Sequence, residues 1–246
     1  MSNLTIHAFH RILYGWIATF SITLCMSPPN PPAPPSEQQR FNSWERSLGN
    51  HIYVVPAVTK LAFWFVWLLE TTALIARQFP WTKPIAEPTL SLFVQNPLSS
   101  LNAIRVTPVF LAGSVLAAIG GYIRYRCYEE LGRLFTYELT IRKNHKLVTD
   151  GMYSFVRHPS YTGGILAFTG YMMTAFTQGS WLRESGALET FVGKAFAYAT
   201  LLLASSTYVY SVFRVRTEDR ILRAEFGAQW DEWAKRVPYR LVPYIY

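Results

Sequence analysis

Charge is scarce in this sequence. Only 15% of its 246 residues are Asp, Glu, Lys or Arg, while 50% are hydrophobic and 16% aromatic. Soluble domains carry about a quarter charged residues, so an ordinary soluble domain is excluded and a bilayer is the expected solvent. Cysteine is nearly absent: Cys25 and Cys127 both sit in apolar runs. Two lone thiols define neither a disulfide framework nor a zinc site, so both are expected to be small core residues and no metal is expected. A G-x-G-x-x-G fingerprint after a strand is also missing, which argues against a Rossmann nucleotide site.

Acidic residues are the minority among the charges. The balance of 23 basic to 15 acidic residues gives a net charge of +8. Such an excess can signal nucleic acid, but its placement points elsewhere. Seven basic residues lie between Arg124 and Arg157, and seven more between Arg214 and Arg240. Both groups flank long apolar runs, as cytoplasmic loops do under the positive-inside rule. Nucleic acid is therefore not an expected partner; the lipid bilayer is.

A membrane helix needs about 20 mainly apolar residues. Five spans are expected, at 4–26, 54–75, 104–122, 161–178 and 188–213. The first holds His7, His10 and Arg11; a cleaved signal peptide is the competing reading for it, and the lack of a clear small-x-small cleavage site favours a retained span. Residues 27–36, SPPNPPAPPS, form a stiff polyproline linker. The proline-dotted stretch 79–97 is expected to be a loop, and Gly113, Gly120 and Gly121 offer close helix approach. Residues 217–237 place Leu222, Phe226, Trp230, Trp233 and Val237 on one helical face, expected to lie at the membrane surface with tryptophans at headgroup level. The fold class is thus an all-α integral membrane protein with about five transmembrane helices and a cytosolic interfacial C-terminal helix. Residues 1–123 form a transmembrane region and 124–246 a catalytic region. Both basic blocks would face the cytosol.

The most informative stretch is 145–164, HKLVTDGMYSFVRHPSYTGG. Asp150-Gly151 signals a turn, and Pro159 disfavours helix at His158. The expected result is a kinked polar loop that presents His158, Ser160 and Tyr161 at the mouth of a helix. Taken singly, these residues have plain structural explanations, such as interfacial aromatics or an arginine on lipid phosphate. Together they form a pattern.

LVTDGMYSFVRHPSYTG, followed about 55 residues later by RVRTEDRILRAEFGAQWDEWAKRVP, resembles the isoprenylcysteine carboxyl methyltransferases, part of a wider group of membrane methyltransferases that includes phospholipid N-methyltransferases. The resemblance runs from about Arg142 to the C-terminus. It implies an S-adenosyl-L-methionine site that is not a Rossmann fold, in a membrane enzyme whose substrate is a prenylated protein C-terminus or prenylcysteine. Such enzymes sit in the endoplasmic reticulum of eukaryotes or the plasma membrane of bacteria, and the long N-terminal half with its proline-rich linker favours the endoplasmic reticulum. By motif match, it implies that His145, Lys146, Leu147, Val148, Tyr153, His158, Pro159, Ser160, Tyr161 and Glu218 hold the cofactor, and that Arg214 handles the substrate carboxylate. Arg214 and Glu218 are the implied catalytic pair. The acidic pair departs from the frequent Glu-Glu, since Asp219 follows Glu218. Glu138 stands where some relatives have Gln. Other readings stay open: a phospholipid or small-lipid methyltransferase, a sterol reductase, or a non-enzymatic transporter or structural membrane protein.

Overall fold

The computed structural model describes residues 3–32, 51–94, 97, 101–138 and 145–246, all helix and loop with no strand among them. The helices are α1 (Asn3–Cys25), α2 (His51–Gln78), α3 (Lys83–Ser91), α4 (Pro108–Leu131), α5 (Pro159–Phe176), α6 (Trp181–Glu184), α7 (Phe191–Phe226) and α8 (Ala228–Arg236). Among the described residues, three segments are long and apolar enough to cross a membrane: Tyr53–Gln78, Pro108–Leu134 and Phe191–Phe226. The other two expected spans are helices too, α1 and α5. At 18 residues and 1.5 Å per residue, α5 is about 27 Å long, just short of a 30 Å hydrocarbon core.

The centre of the fold is the α4–α5 hairpin, and small residues make it close. A Cβ on Gly120 would stand 2.4 Å from the Ala167 nitrogen and 2.5 Å from the Gly163 carbonyl; one on Gly170 would stand 2.4 Å from both the Ala117 nitrogen and the Gly113 carbonyl. Gly113, Ala117 and Gly120 thus mesh with Gly170, Ala167 and Gly163, so backbones touch where lipid supplies no hydrophobic drive. Gly121 meets Ser21 of α1. Away from this seam, Leu61, Val115, Phe191 and Leu202 point outward and stay exposed, as lipid-facing side chains do.

The end of the bundle holding the N-terminus of α1 is tied by a buried ion pair. Arg11 Nε lies 2.5 Å from Glu70 Oε1, and Arg11 also donates to the Arg105 carbonyl at 2.5 Å. The other Glu70 oxygen accepts the Trp181 N–H at 3.0 Å. The polar residues of the first span are therefore compatible with a packed helix, because Arg11 has a partner on α2.

Four expectations need correction. The third span begins at Pro108, not residue 104, because Thr107 caps the helix by accepting the Phe110 N–H and proline fits the first turn. Residues 79–97 are not all loop: α3 forms there, with Pro84 at its start and Pro88 inside it. The helix that holds the last span does not stop at 213, where its apolar run ends. It continues to Phe226, because no breaker occurs before Gly227, whose φ of 52° suits glycine. The interfacial helix expected over 217–237 is consequently split. Its second half, α8, buries Trp233 to 2% exposure against Tyr153, Cys127 and Val237, so that tryptophan is core and not headgroup belt. The proline linker lies partly outside the described residues. Cys25 and Cys127 are free and buried.

Candidate active site

At 36 residues, α7 is about 54 Å long, far more than a bilayer core requires. Its second half therefore carries Arg214, Glu218 and Asp219 beyond the apolar segment. The first turn of α5 sits beside them. His158 leaves the helical region (φ −129°, ψ 59°) and Pro159 opens α5, so the loop before it turns the imidazole toward α7. Two backbone bonds hold this loop from the C-terminal segment: Arg157 N–H donates to the Tyr239 carbonyl and His158 N–H to the Arg240 carbonyl, both at 2.9 Å.

Asp219 is the hub of the resulting network. Arg157 donates to both its oxygens at 3.3 and 3.1 Å, Arg240 Nε at 2.8 Å, and His158 Nε2 lies 2.9 Å from Oδ1. The other imidazole nitrogen, Nδ1, stands 3.3 Å from Glu218 Oε2. Tyr161 donates its hydroxyl to Glu218 Oε1 at 2.5 Å. Arg214 Nε donates to the same oxygen at 3.1 Å and to the Tyr161 hydroxyl at 3.0 Å. Its remaining nitrogens reach the Tyr210 hydroxyl at 2.6 Å and the Tyr137 carbonyl at 2.7 Å. Burial alone would lower the His158 pKa; the hydrogen bonds and charges of Asp219 and Glu218 outweigh it and raise the pKa. His145 shifts the other way, lowered by burial with a partial offset from Glu225.

Except for Asp219 and Arg240, which lie behind it, these groups face a cavity of about 590 Å³, within the ordinary range for small-molecule pockets. Its polar end holds His158, Tyr161, Arg214 and Glu218. An apolar limb runs between α2, at Val55, Pro56 and Thr59, and α7, at Leu203 and Thr207. His145, Lys146, Leu147, Val148, Tyr153 and Ser160 also line it. Pro159 does not; it is buried at the start of α5 and acts by setting the helix. Glu138 lines the cavity and accepts the Tyr53 hydroxyl.

Sequence reasoning missed four participants. Asp219 is only the second member of the acidic pair in the motif, yet it organises the loop. Tyr210 was not singled out, although it sits one turn before Arg214, the spacing that brings side chains together. Arg240 lies far along the chain and carries no local signal. Arg124 was counted only among the loop charges, but it lines the cavity.

Comparison with known proteins bears on this arrangement. Residues 113–179 match the model of the Isoprenylcysteine carboxyl methyltransferase (ICMT) family. That match spans α4, the loop and α5, and ends before Arg214. Protein-S-isoprenylcysteine O-methyltransferase of Schizosaccharomyces pombe is 30% identical over 122 residues, 49% of this chain and 44% of that protein. Protein-S-isoprenylcysteine O-methyltransferase B of Arabidopsis thaliana is 30% identical over 135 residues, 54% of this chain and 58% of that protein. A Delta(14)-sterol reductase of Mus musculus is 28% identical over 101 residues, 41% of this chain and 20% of that protein. The chain spans about half the length of these two methyltransferases. These matches support the resemblance read from the motifs; the family match takes in the first of the two motifs, LVTDGMYSFVRHPSYTG, and not the second.

Proposed function

We propose that this chain, similar to the isoprenylcysteine carboxyl methyltransferases, is a membrane enzyme that methylates the C-terminal carboxylate of prenylated cysteine, with S-adenosyl-L-methionine as donor. One observation carries the reading: the 145–161 loop and the second half of α7, far apart in sequence, line one cavity with a charged end and an apolar limb. A prenylcysteine has that polarity, a carboxylate head on an oily chain. The limb between α2 and α7 offers the chain a route from the bilayer.

The residues present fit the donor. His145 Nδ1 is buried and has no hydrogen-bond partner, and its lowered pKa keeps the ring neutral at pH 7, suited to an uncharged polar group of an adenosyl moiety. Glu218 offers a carboxylate to a cationic ligand. His145–Val148, Tyr153, His158, Ser160 and Tyr161 would complete the donor site, with Pro159 fixing the turn. When bound, the donor supplies a sulfonium methyl to the substrate carboxylate oxygen.

The protein's own residues do the positioning. Arg214 orients the substrate carboxylate; its contacts with Glu218, Tyr161, Tyr210 and Tyr137 fix its plane and temper its charge, so the nucleophile is held without being quenched. A terminal carboxylate has a pKa of about 3.5 and is ionised already, so no base is needed. The hydrogen bonds and charges of Asp219 and Glu218 raise the His158 pKa against the effect of burial, and the imidazole is held between the two carboxylates as part of the site's scaffold. Much of the acceleration then comes from alignment and exclusion of water.

Arg124, Lys146, Arg157 and Arg214, drawn from both basic blocks, line the cavity, which supports a site facing the cytosol; location in the endoplasmic-reticulum membrane is part of the same proposal. The division into a transmembrane region, 1–123, and a catalytic region, 124–246, is part of the same proposal, with Ile22, Cys25 and Val55 of the first region contributing to the cavity. The Arg11–Glu70 pair does not favour a transporter: neither residue lines the cavity, and both are bonded to the surrounding backbone.

The test is a set of parallel assays on protein in nanodiscs. Methyl transfer to farnesylcysteine, with none to phosphatidylethanolamine, is expected. Arg214→Ala and Glu218→Ala should each lose turnover by roughly 100-fold or more while remaining folded. Transfer to the amine lipid alone, or NADPH-dependent sterol reduction, would replace the reading.

A further inference from the structure

The cavity contains one guanidinium for which this chemistry gives no task. Arg124 lies near the end of α4 and lines the polar end. Its Nε donates to the Tyr128 hydroxyl at 2.9 Å, and its Nη1 to the Ser160 carbonyl at 3.2 Å and to the Ser160 hydroxyl. The rings of Phe135, Tyr128 and Tyr137 lie 4.9, 5.2 and 5.5 Å from its Cζ. Among the described residues, no carboxylate pairs with it; its polar neighbours are Ser160 and the Tyr128 and Tyr137 side chains.

The other cations of this site differ. Arg157 and Arg240 share Asp219, and Arg214 has Glu218. A cation enclosed by aromatic rings without a counter-charge is costly, and buried charges are ordinarily paired. The missing anion is therefore expected from a ligand.

The opposite pole tells which ligand. Ser160 and Tyr161 are consecutive in the first turn of α5. Ser160 receives Arg124, and Tyr161 donates to Glu218 at 2.5 Å. The same helical turn thus touches an unpaired basic pole through Ser160 and an acidic one through Tyr161. A zwitterionic α-amino acid satisfies both. The C-terminus of a prenylated chain carries a carboxylate without a free ammonium, satisfies only one, and has Arg214 available. Building on the methyltransferase reading above, we propose that Arg124 binds the α-carboxylate of the donor's amino-acid end while Glu218 receives its ammonium.

Isothermal titration in nanodiscs tests this without turnover. The probes are S-adenosylhomocysteine and its decarboxylated analogue, S-adenosyl-3-thiopropylamine. The unaltered protein should bind the analogue roughly 10- to 100-fold more weakly, the loss expected for a charge-assisted hydrogen bond. Arg124→Met should bind both ligands alike, at the weaker level, and Arg124→Lys should recover part of the difference. Equal affinity of the unaltered protein for both ligands overturns the assignment whatever the variants do. So does an Arg124→Met that keeps the full preference, or one that raises KM for farnesylcysteine while donor affinity stands. An unaltered protein that binds neither ligand overturns the methyltransferase reading itself, a result distinct from binding both equally.

Discussion

Among individual residues, His158 has the most measurable electrostatics. Asp219 and Glu218 raise its pKa above the ordinary 6.5 in the folded protein. A raised folded pKa means that the imidazolium's stabilisation is complete below about pH 6.5 and lost as pH rises through the folded value. Thermal stability should therefore decline as pH rises above about 6.5, and His158→Gln should flatten that limb. Stability that climbs over the same window would mean that His158 is neutral beside the two carboxylates. Asp219→Asn keeps the shape but removes the anion shared by Arg157, His158 and Arg240; a loss of about 3 kcal/mol is expected, read from the denaturation midpoint. The sequence displayed the chemistry of this loop because Arg157-His158-Pro159 is contiguous. It hid Asp219 as the hub, because two of the three cations that converge on it come from the loop and the third from the distant C-terminal segment.

The helices owe their arrangement to the meshed glycines. A side chain at Gly120 would collide with backbone atoms of α5, which cannot swing aside, whereas Gly164 on the same helix as Gly163 has open space where a Cβ would stand. Gly120→Val should cost about 2–3 kcal/mol or more, and Gly164→Ala should change stability by no more than about 0.5 kcal/mol. Thermal melts in nanodiscs distinguish them; equal effects would mean that the hairpin seam is not a determinant of packing. Apolar runs in the sequence located every long helix, since hydropathy reports what lipid and core both require. Boundaries were less legible. Ile104 extends the apolar run although Thr107 and Pro108 set the start of α4. Arg214 ends the apolar run of α7, but loss of hydropathy does not end a helix, and Gly227 does. The apolar face of α8 was readable; its periodicity could not reveal that Tyr153, and not lipid, covers Trp233.

Across the whole molecule, two polar assemblies occupy opposite ends of the bundle. One is the cavity network. The other is Arg11–Glu70, in which both side chains are nearly inaccessible, at 1% and 2% exposure. Removing one partner leaves a lone buried charge, so Arg11→Met should destabilise by about 3–5 kcal/mol. Combining it with Glu70→Leu should restore much of that loss. A double variant as unstable as the single one would show that Glu70 acts chiefly through the Trp181 N–H. No sequence pattern announces this pair, because its members lie 59 positions apart on separate spans.

The central claim is that the 145–161 loop and the second half of α7 build one donor pocket. Ultraviolet cross-linking with tritiated S-adenosylmethionine, followed by peptide mapping, tests it most directly. Label is expected on peptides from both segments, around His145–Tyr161 and Arg214–Leu222, and excess S-adenosylhomocysteine should suppress it. Competable label confined to peptides outside both segments, or no competable label on folded protein, would contradict the account.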